Sequence, residues 1–313
     1  MRYEFDAELL DLATASPKLF NFEDYVAVRN SLLEMARVVE GKLDLSAIHI
    51  DERLIPAHGD GPDVAVTLYR PRNLLGPAPC VLRIHGGGFV VGSVLGDLPL
   101  SSFLASSIGA VVVSVEYRLA PEHAFPAALH DCYATLKWIH DSAAELDIDA
   151  KRIAVFGSSA GAGLSAGMIL MNRDRHRWPI KFLLLDVPEL DDRLESASMT
   201  RFVDTPIWNR PNAVLSWKYY LGDTQGSTVS PYAAPARAVD LSLFPRTYIS
   251  IMEFDPLRDE GIEFAKSLLD SGVHVELHIF PGTFHGSVMA NHATISKRIV
   301  GEIVDTLRRE LQN

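Results

Sequence analysis

Apolar residues recur along the chain in short runs that alternate with longer amphipathic stretches. Runs rich in Val, Ile and Leu predict about eight strands, near residues 47–55, 64–70, 80–85, 110–116, 153–157, 181–187, 246–252 and 273–280. The first two runs alternate in polarity, as an antiparallel edge does, whereas later runs such as 110–115 and 182–185 are apolar throughout. Helical patterns separate the runs from residue 80 onward. The sequence therefore predicts an α/β protein with a mostly parallel sheet flanked by helices.

Two segments do not fit this alternation. Residues 1–45 predict two amphipathic helices, and residues 188–232 form an insert that follows a predicted strand. The insert is rich in aromatic residues, namely Trp208, Trp217, Tyr219 and Tyr220. No repeat, low-complexity tract or charged linker divides the chain. We therefore expect one domain over residues 1–313, with a helical lid or cap formed by 1–45 and 188–232.

Composition and charge narrow the range of partners. A chain of 313 residues with 48% hydrophobic and 22% charged residues can bury a large core. Its formal charge of −11 argues against nucleic acid or an anionic membrane as a partner and favours a small neutral molecule. Residues 1–15 lack the features of a signal peptide, and no later run approaches a membrane span, so a cytoplasmic location is expected. The two cysteines, Cys80 and Cys132, are expected to be buried small hydrophobes.

The first candidate for chemistry is a turn at Gly157-Ser158-Ser159-Ala160-Gly161. It lies between an apolar run and a stretch of Ala, Leu, Met and Gly that predicts a helix. A G-x-S-x-G strand-to-helix turn exposes the serine hydroxyl at the tip of a sharp bend, with the next backbone N–H pointing toward the same space. Acyl transfer needs a nucleophile placed in this way. Small residues also serve close packing of a helix on a strand, so the pattern alone leaves both interpretations open.

A second candidate is a run of glycines after an upstream strand. Gly86, Gly87 and Gly88 follow His85 at the carboxyl end of a predicted buried strand, where open α/β sheets bind ligands. Consecutive glycines let successive backbone N–H groups face one point, as an oxyanion requires. A structural turn seldom needs three glycines after a histidine. In combination with Ser159, the run favours an oxyanion hole.

An acid and a histidine follow the last two strands. Asp259 and Glu260 lie where a helix begins, so helix capping explains both, whereas Asp255 is free of that role. His285 lies in a loop after the final strand. Ser159, Asp255 and His285 therefore follow one another along the chain, each after a strand. This order of serine, acid and histidine is the one that α/β-hydrolases use.

Taken together, these motifs resemble the hormone-sensitive-lipase-like esterases of the α/β-hydrolase fold over most of the chain. The segments that carry the resemblance are HGGG at 85–88, EYRLAPEH at 116–123, FPA at 125–127, GSSAG at 157–161, SPY at 230–232 and DPLRDEG at 255–261. The resemblance implies a serine carboxylesterase with an α/β-hydrolase fold and a helical lid. It implies that Ser159 is the nucleophile, His285 the general base and acid, and Asp255 the residue that orients His285. Ser158 departs from the family, which usually has Asp or, in one branch, Thr at this position.

The resemblance also bears on the oxyanion hole and on the substrate. It implies that the N–H groups of Gly87, Gly88 and Ala160 hold the oxyanion, with assistance from Gly86. It favours short acyl chains, from acetyl to about octanoyl, over long triglycerides. The aromatic residues beside the motifs and in the insert predict an apolar, confined acyl pocket. These residues are Phe89, Trp208, Trp217 and Phe254.

Two other classes of protein remain as alternatives. The stretch 161–166 fits the dinucleotide pattern G-x-G-x-x-G/A, and Asp186 lies twenty residues beyond it, as in NAD(P)-dependent oxidoreductases. Against this, four residues separate the predicted strand from Gly161, and the motifs at 85–88, Asp255 and His285 stay unexplained. The other alternative is a non-catalytic small-molecule receptor, because the resembled family includes a plant hormone receptor that lost its catalytic histidine. Here His285 is present.

The sequence predicts neither a metal site nor a cofactor. His274 and His278 are four residues apart, but they fall in a predicted strand, where this spacing separates them along one face. The expected partner is a small-molecule ester. The alcohol part of that ester, and activity on amides or lactones, stay open. A homodimer would be unsurprising for the family.

Overall fold

The predicted strands pair into a single eight-stranded sheet with the order β1-β2-β4-β3-β5-β6-β7-β8. The computed structural model of the protein describes residues 3–15, 20–59, 61–222 and 228–312. The strands are β1 (Ile48–Ile55), β2 (Val64–Pro71), β3 (Ala78–Ile84), β4 (Val111–Glu116), β5 (Ile148–Ser158), β6 (Phe182–Asp186), β7 (Arg246–Phe254) and β8 (Val275–Phe284). The helices of these residues are α1 (Leu10–Ala15), α2 (Tyr25–Glu40), α3 (Val94–Ile108), α4 (Ala127–Asp141), α5 (Ala160–Asp174), α6 (Ala197–Arg201), α7 (Arg210–Leu221), α8 (Arg258–Asp270) and α9 (Thr294–Gln312).

The sheet is antiparallel at one edge and parallel elsewhere. Strand β2 pairs antiparallel with β1 and with β4, whereas every pairing from β4 through β3, β5, β6 and β7 to β8 is parallel. The prediction of an α/β fold with a mostly parallel sheet and an antiparallel edge is therefore confirmed. Because parallel strands end at the same edge, the residues that follow β3, β5, β7 and β8 are brought together there.

The last strand is longer than its sequence pattern predicts. The pattern ended at residue 280, because Pro281 and Gly282 are typical of a turn, but β8 continues to Phe284. The pairing of β7 with β8 shifts register at this point, so that Phe254 lies opposite Phe284. This irregularity accommodates the proline and glycine within the strand. It also sets the point at which the chain leaves the sheet.

Helices cover both faces of the sheet, and each face has its own core. Val155 of β5 belongs to a cluster with residues of α4, α5 and α8, whereas the next residue, Phe156, belongs to a cluster with residues of α3 and α9. Both cysteines, Cys80 and Cys132, are free and fully buried in the first cluster, as predicted. Central strands buried on both faces account for the uninterrupted apolar runs of the sequence.

The two segments predicted as a cap meet above the carboxyl edge of the sheet. Residues 1–45 contain α1 and α2, and residues 188–232 contain α6 and α7; within them, residues 1–2, 16–19 and 223–227 lie outside the described part of the chain. Phe22 from the first segment packs edge-on against Trp208 from the second, with ring centroids 5.1 Å apart. Both rings share an apolar cluster with Val90 and Val91, which follow the glycine run.

Two helical glycines provide a matched test of the packing. A Cβ on Gly167 of α5 would lie 2.2 Å from the Tyr232 carbonyl oxygen, whereas a Cβ on Gly301 of α9 would meet open space. Gly167→Ala is expected to lower the free energy of unfolding by about 1–3 kcal/mol, because backbone must move to admit the methyl group. Gly301→Ala is expected to raise it by about 0.5–1 kcal/mol through helix propensity. Urea unfolding of both variants measures the difference, and equal effects would contradict the packing described.

Candidate active site

Ser159 lies on a strained turn between β5 and α5. Its backbone φ of 56° and ψ of −121° are uncommon for a residue with a side chain. Such strain costs on the order of 1–3 kcal/mol and persists only where the surroundings impose it. Here the Ser159 N–H donates to the Asp186 carbonyl at 2.8 Å, and the Ser159 carbonyl accepts from the Glu189 N–H at 3.2 Å. Strand β6 and its following loop thus hold the turn from both sides.

The glycines on either side of Ser159 permit the turn by allowing close backbone approach. A Cβ on Gly157 would lie 2.2 Å from the Gly161 carbonyl oxygen, and a Cβ on Gly161 would lie 2.2 Å from the Ile84 carbonyl oxygen. Neither space admits a methyl group. The helix therefore starts directly against the ends of β3 and β5, with Ala160 as its first residue. Close packing and placement of the serine, which the sequence left as alternatives, both occur here.

The glycine run after β3 lies against the serine turn. Gly86 is so close that a Cβ on it would be 3.0 Å from the Ser158 carbonyl oxygen and 3.3 Å from the Ser159 Cβ. Gly87 and Gly88 have φ of +125° and +55°, which favour glycine. The Gly87 carbonyl accepts from the N–H groups of residues 90 and 91, at 3.0 and 2.9 Å. The loop is thus closed on itself beside the serine.

His285 and Asp255 form a buried pair at the ends of β8 and β7. His285 Nδ1 lies 2.7 Å from Asp255 Oδ2, and the two residues are 7% and 1% exposed. The other carboxylate oxygen, Oδ1, accepts from the Leu257 N–H at 2.9 Å. Both carboxylate oxygens of Asp255 are therefore engaged, one by the Leu257 N–H and one by His285 Nδ1.

Ser159 and His285 line the same cavity of about 300 Å³ at the carboxyl edge of the sheet. Its wall is mainly apolar. Trp208, one of the four predicted pocket residues, lines it with its ring centroid 5.7 Å from that of His285. The other apolar side chains of the wall are Phe20, Phe22, Val91, Leu100, Val187, Ile207, Met252, Val288 and Met289.

The other three predicted pocket residues do not line this cavity. Phe89 is 1% exposed and stacks on Tyr220, with ring centroids 3.9 Å apart. Trp217, one helical turn from Tyr220, packs against the same group at 5.4 Å from Phe89. Phe254 joins a separate aromatic cluster with the ring of Phe202, 6.2 Å away. Neither proximity to a motif, as for Phe89 and Phe254, nor a place in the insert, as for Trp217, puts a side chain into the wall of this cavity.

The sequence pattern missed the N-terminal contribution to the cavity. Phe20 and Phe22 reach it from a segment more than a hundred residues away from the serine turn. Phe22 is held there by its packing against Trp208 of the segment 188–232. Isolated aromatic residues in an amphipathic region give no signal that distinguishes a cavity wall from an ordinary core contact.

A buried ion pair lies beside the cavity. The Arg83 guanidinium of β3 makes a bidentate pair with Asp97 of α3, at 2.8 and 2.9 Å, and lies over the Phe156 ring at 4.1 Å. The Arg83 side chain is 2% exposed and that of Asp97 11%. Arg83 also donates to the carbonyls of Ile84 and Phe156, so the pair links the sheet to α3. A single Arg within an apolar run did not reveal this pair in the sequence.

Ser158 belongs to a polar row across three strand ends. It is in register with Asp186 of β6, which in turn is in register with Ser250 of β7. Ser250 Oγ donates to Asp186 Oδ1 at 2.6 Å. Burial raises the pKa of the Asp186 carboxyl, and hydrogen bonds from Ser250 and Ser158 oppose that rise. The acidic group that the family usually carries at position 158 is thus replaced by a serine that hydrogen-bonds an acid on the neighbouring strand.

Known proteins resemble this chain in sequence and in fold. The family model described as the α/β-hydrolase fold matches residues 81–289. Carboxylesterase NlhH of Mycobacterium tuberculosis is 36% identical over 289 residues, which are 92% of this chain and 90% of that protein. The solved structure of a bacterial heroin esterase has a TM-score of 0.96 and 47% identity, covering 99% of both chains. Esterase LipW from Mycobacterium marinum has a TM-score of 0.91 and 37% identity, covering 99% of this chain and 97% of LipW.

The chain belongs to the hormone-sensitive-lipase-like carboxylesterases of the α/β-hydrolase fold. It is a carboxylic ester hydrolase.

The glycine pattern that suggested a dinucleotide site has a packing role in this family member: a Cβ on Gly161 or Gly163 would lie 2.2 Å from a backbone carbonyl oxygen. No group of His, Cys, Asp and Glu within the described ranges is arranged to hold a metal ion. None of the described helices has the length and apolarity that a bilayer crossing requires.

The buried ion pair gives a stability prediction. Asp97→Asn leaves the Arg83 charge buried without its partner, so we expect the free energy of unfolding to fall by roughly 3–5 kcal/mol. Asp270→Asn removes an exposed pair with Lys266, in which both side chains are 65% exposed, and should cost less than about 1 kcal/mol. Urea unfolding at neutral pH checks both values. Similar small losses in the two variants would contradict a structural role for the Arg83–Asp97 pair.

Proposed function

We propose that this carboxylesterase hydrolyses short- to medium-chain acyl esters, with Ser159 as nucleophile, His285 as general base and acid, and Asp255 as the residue that orients His285. The observation that carries the proposal is the buried His285–Asp255 pair, whose histidine lines the same cavity as Ser159. Three residues from three separate strand ends converge there. A strained serine turn and a histidine fixed by a carboxylate fit nucleophilic acyl transfer.

The reaction proceeds in two steps. In the first, His285 Nε2 takes the Ser159 proton as Oγ forms a bond to the ester carbonyl carbon, and the carbonyl oxygen becomes an oxyanion. The C–O bond to the alcohol then breaks, and His285 returns the proton to the departing oxygen, which leaves an acyl-serine. In the second step, the water oxygen attacks the acyl carbon while His285 takes a proton from that water. The bond between Ser159 Oγ and the acyl carbon then breaks, the acid leaves, and His285 returns the proton to Ser159 Oγ.

The oxyanion is assigned to the N–H groups of Gly87, Gly88 and Ala160. Ala160 is the first residue of α5, so its N–H is free of a partner within that helix, and the helix N-terminus carries a partial positive charge. Gly87 and Gly88 adopt backbone conformations that turn the loop beside Ser159. Removal of one such donor typically raises the barrier by about 3–4 kcal/mol. The glycines also leave room for the substrate carbonyl to approach.

Cavity size and its cap support the preference for shorter acyl chains. A volume of about 300 Å³ is at the lower end of the range for small-molecule pockets, about 300–1,000 Å³. Residues of 1–45 and 188–232 form part of its wall, including Phe22 and Trp208. We propose that these two segments act as a cap on a single domain. The NlhH and LipW relatives are described as a carboxylesterase and an esterase, in keeping with this activity.

A variant of the nucleophile tests the triad. Ser159→Ala is expected to lower kcat on p-nitrophenyl butyrate by about a millionfold, because the triad works as a unit. Ser267→Ala, which changes an exposed serine on α8, should leave kcat unchanged. Burst-corrected initial rates give kcat for each purified variant, which is compared with kcat of the wild type. Retention of wild-type turnover by Ser159→Ala would overturn the assignment.

A chain-length series tests the confined pocket. With p-nitrophenyl esters from acetate to palmitate, kcat/KM is expected to peak at or below the octanoate, since longer chains exceed the cavity. Trp208→Ala removes an aromatic wall and should move the optimum toward longer chains. The optima of the wild type and this variant are read from the same series. A wild-type optimum at palmitate would contradict the proposal.

A further inference from the structure

A buried carboxyl group with no place in the triad lies behind the glycine loop. Glu189, in the loop after β6, is fully buried, and its Oε1 lies 2.9 Å from Ser216 Oγ of α7. The same Ser216 Oγ lies 3.0 Å from the carbonyl oxygen of Gly88. Among the described residues, Oε2 of Glu189 has no hydrogen-bond partner. One hydroxyl thus stands between a backbone acceptor and a carboxyl group.

The number of protons at Ser216 decides which contacts can coexist. A hydroxyl has one proton to donate, and its oxygen can accept from another donor. If Glu189 were ionised, Ser216 would have to serve two acceptors with one proton, and either the carboxylate or the Gly88 carbonyl would go without. If Glu189 is a neutral acid, it donates to Ser216 Oγ, and Ser216 donates to Gly88. Only the neutral form satisfies both short contacts.

We propose that Glu189 is held as a neutral carboxylic acid that donates to Ser216, so that Ser216 keeps its proton for the Gly88 carbonyl and fixes the oxyanion loop. Glu189 and Ser216 are then positioning residues for ester hydrolysis, and this inference rests on the proposed oxyanion hole. Loss of the Glu189 proton to solvent turns the Ser216 hydroxyl toward the carboxylate. The Gly88 carbonyl then loses its donor.

The surroundings of Glu189 favour the neutral form. Burial raises the pKa of Glu189 to about 8; the charge of Asp255 adds to the rise, and the Ser216 contact opposes it. Charge interactions also link Glu189 to Glu260 of α8 and to Tyr220 of α7, whose own pKa values are raised chiefly by burial. Neither Glu260 nor Tyr220 carries a positive charge that could pair with a Glu189 carboxylate.

The Gly88 carbonyl matters because the loop depends on external anchors. Gly87 and Gly88 have no side chains that restrict their backbone, so each peptide plane must be fixed by its hydrogen bonds. Residues 90 and 91 hold the Gly87 carbonyl, and the Ala120 N–H donates to the Phe89 carbonyl at 2.9 Å. Ser216 holds the Gly88 carbonyl between them. The Gly88 carbonyl belongs to the peptide that joins Gly88 to Phe89, next to the peptide that carries the Gly88 N–H. Release of this carbonyl would let the neighbouring Gly88 N–H shift, and small misplacements of such a donor are costly in the transition state.

The inference predicts an alkaline limit to activity that depends on Glu189. The wild-type kcat on p-nitrophenyl butyrate should fall about fivefold between pH 7 and about pH 9, as a group with a pKa of about 8 loses its proton. KM should change little. Glu189→Gln carries an amide that donates to Ser216 at any pH, so it should retain kcat at pH 7 within about twofold and lose the alkaline fall.

Two further variants show whether the effect runs through Ser216. Ser216→Ala removes the donor to Gly88, so its kcat should be about tenfold lower at pH 7, with no alkaline fall. Glu260→Gln replaces a neighbouring buried acid that accepts from the Leu190 N–H instead of contacting the loop, and should keep the wild-type pH profile. An alkaline fall that persists in Glu189→Gln, or is absent from the wild type, would overturn the inference. Loss of activity in Ser159→Ala shows separately whether the proposed nucleophile holds.

A measurement without turnover covers the case in which a variant folds poorly. Infrared difference spectra of wild type against Glu189→Gln at pH 7 should show the carbonyl band of a protonated carboxyl, which converts to carboxylate bands as the pH passes about 8. The folded-state pKa lies above the ordinary value of 4.5, so the stability that the neutral carboxyl contributes at low pH is lost progressively as pH rises from about 4.5 to about 8. The wild type should therefore lose thermal stability relative to Glu189→Gln over this range. A carboxylate band at pH 7 would overturn the inference.

Discussion

The whole site depends on one backbone constraint, the strained conformation of Ser159 between β5 and α5. Strand β6 fixes it through the Asp186 carbonyl, and the absence of side chains at Gly157 and Gly161 lets α5 begin against the ends of β3 and β5. The same close approach brings the glycine loop after β3 beside the serine. The same close backbone contacts therefore place the serine, the helix N-terminus and the loop, and the burial of the central strands stabilises them.

Buried ionisable groups surround this turn, and each is accommodated in a different way. Arg83 and Asp97 remain as a bidentate pair between the sheet and α3. Asp186 is hydrogen-bonded by a serine from the adjacent strand, and burial raises its pKa. Glu189, with burial raising its pKa to about 8, lacks a cationic partner among the residues that act on it. Burial of an ionisable group costs free energy unless the group has hydrogen-bond or ion-pair partners. Several such groups around one turn are therefore in keeping with a site that holds donors and acceptors rigidly.

The sequence predicted the sheet, its antiparallel edge and the order of strands that precede Ser159, Asp255 and His285, because these depend on local periodicity and short motifs, although it ended β8 four residues early. It did not predict which aromatic residues face the cavity. Phe89 stacks on Tyr220 in the core, and Trp217 packs against both rings at a tilt. Phe22 reaches the cavity from the N-terminal segment, and these placements depend on packing between distant segments. The pairs Arg83–Asp97 and Glu189–Ser216 also join residues from different elements, and no spacing along the chain reveals them.

The most direct test of the account is to identify the residue that becomes covalently bound. Treatment with an organophosphorus ester, whose phosphoryl centre resembles the tetrahedral intermediate, should inactivate the enzyme with one adduct per chain. Peptide mass spectrometry should place that adduct on Ser159. An adduct on any other residue, or full esterase activity in protein labelled at Ser159, would contradict the central claim.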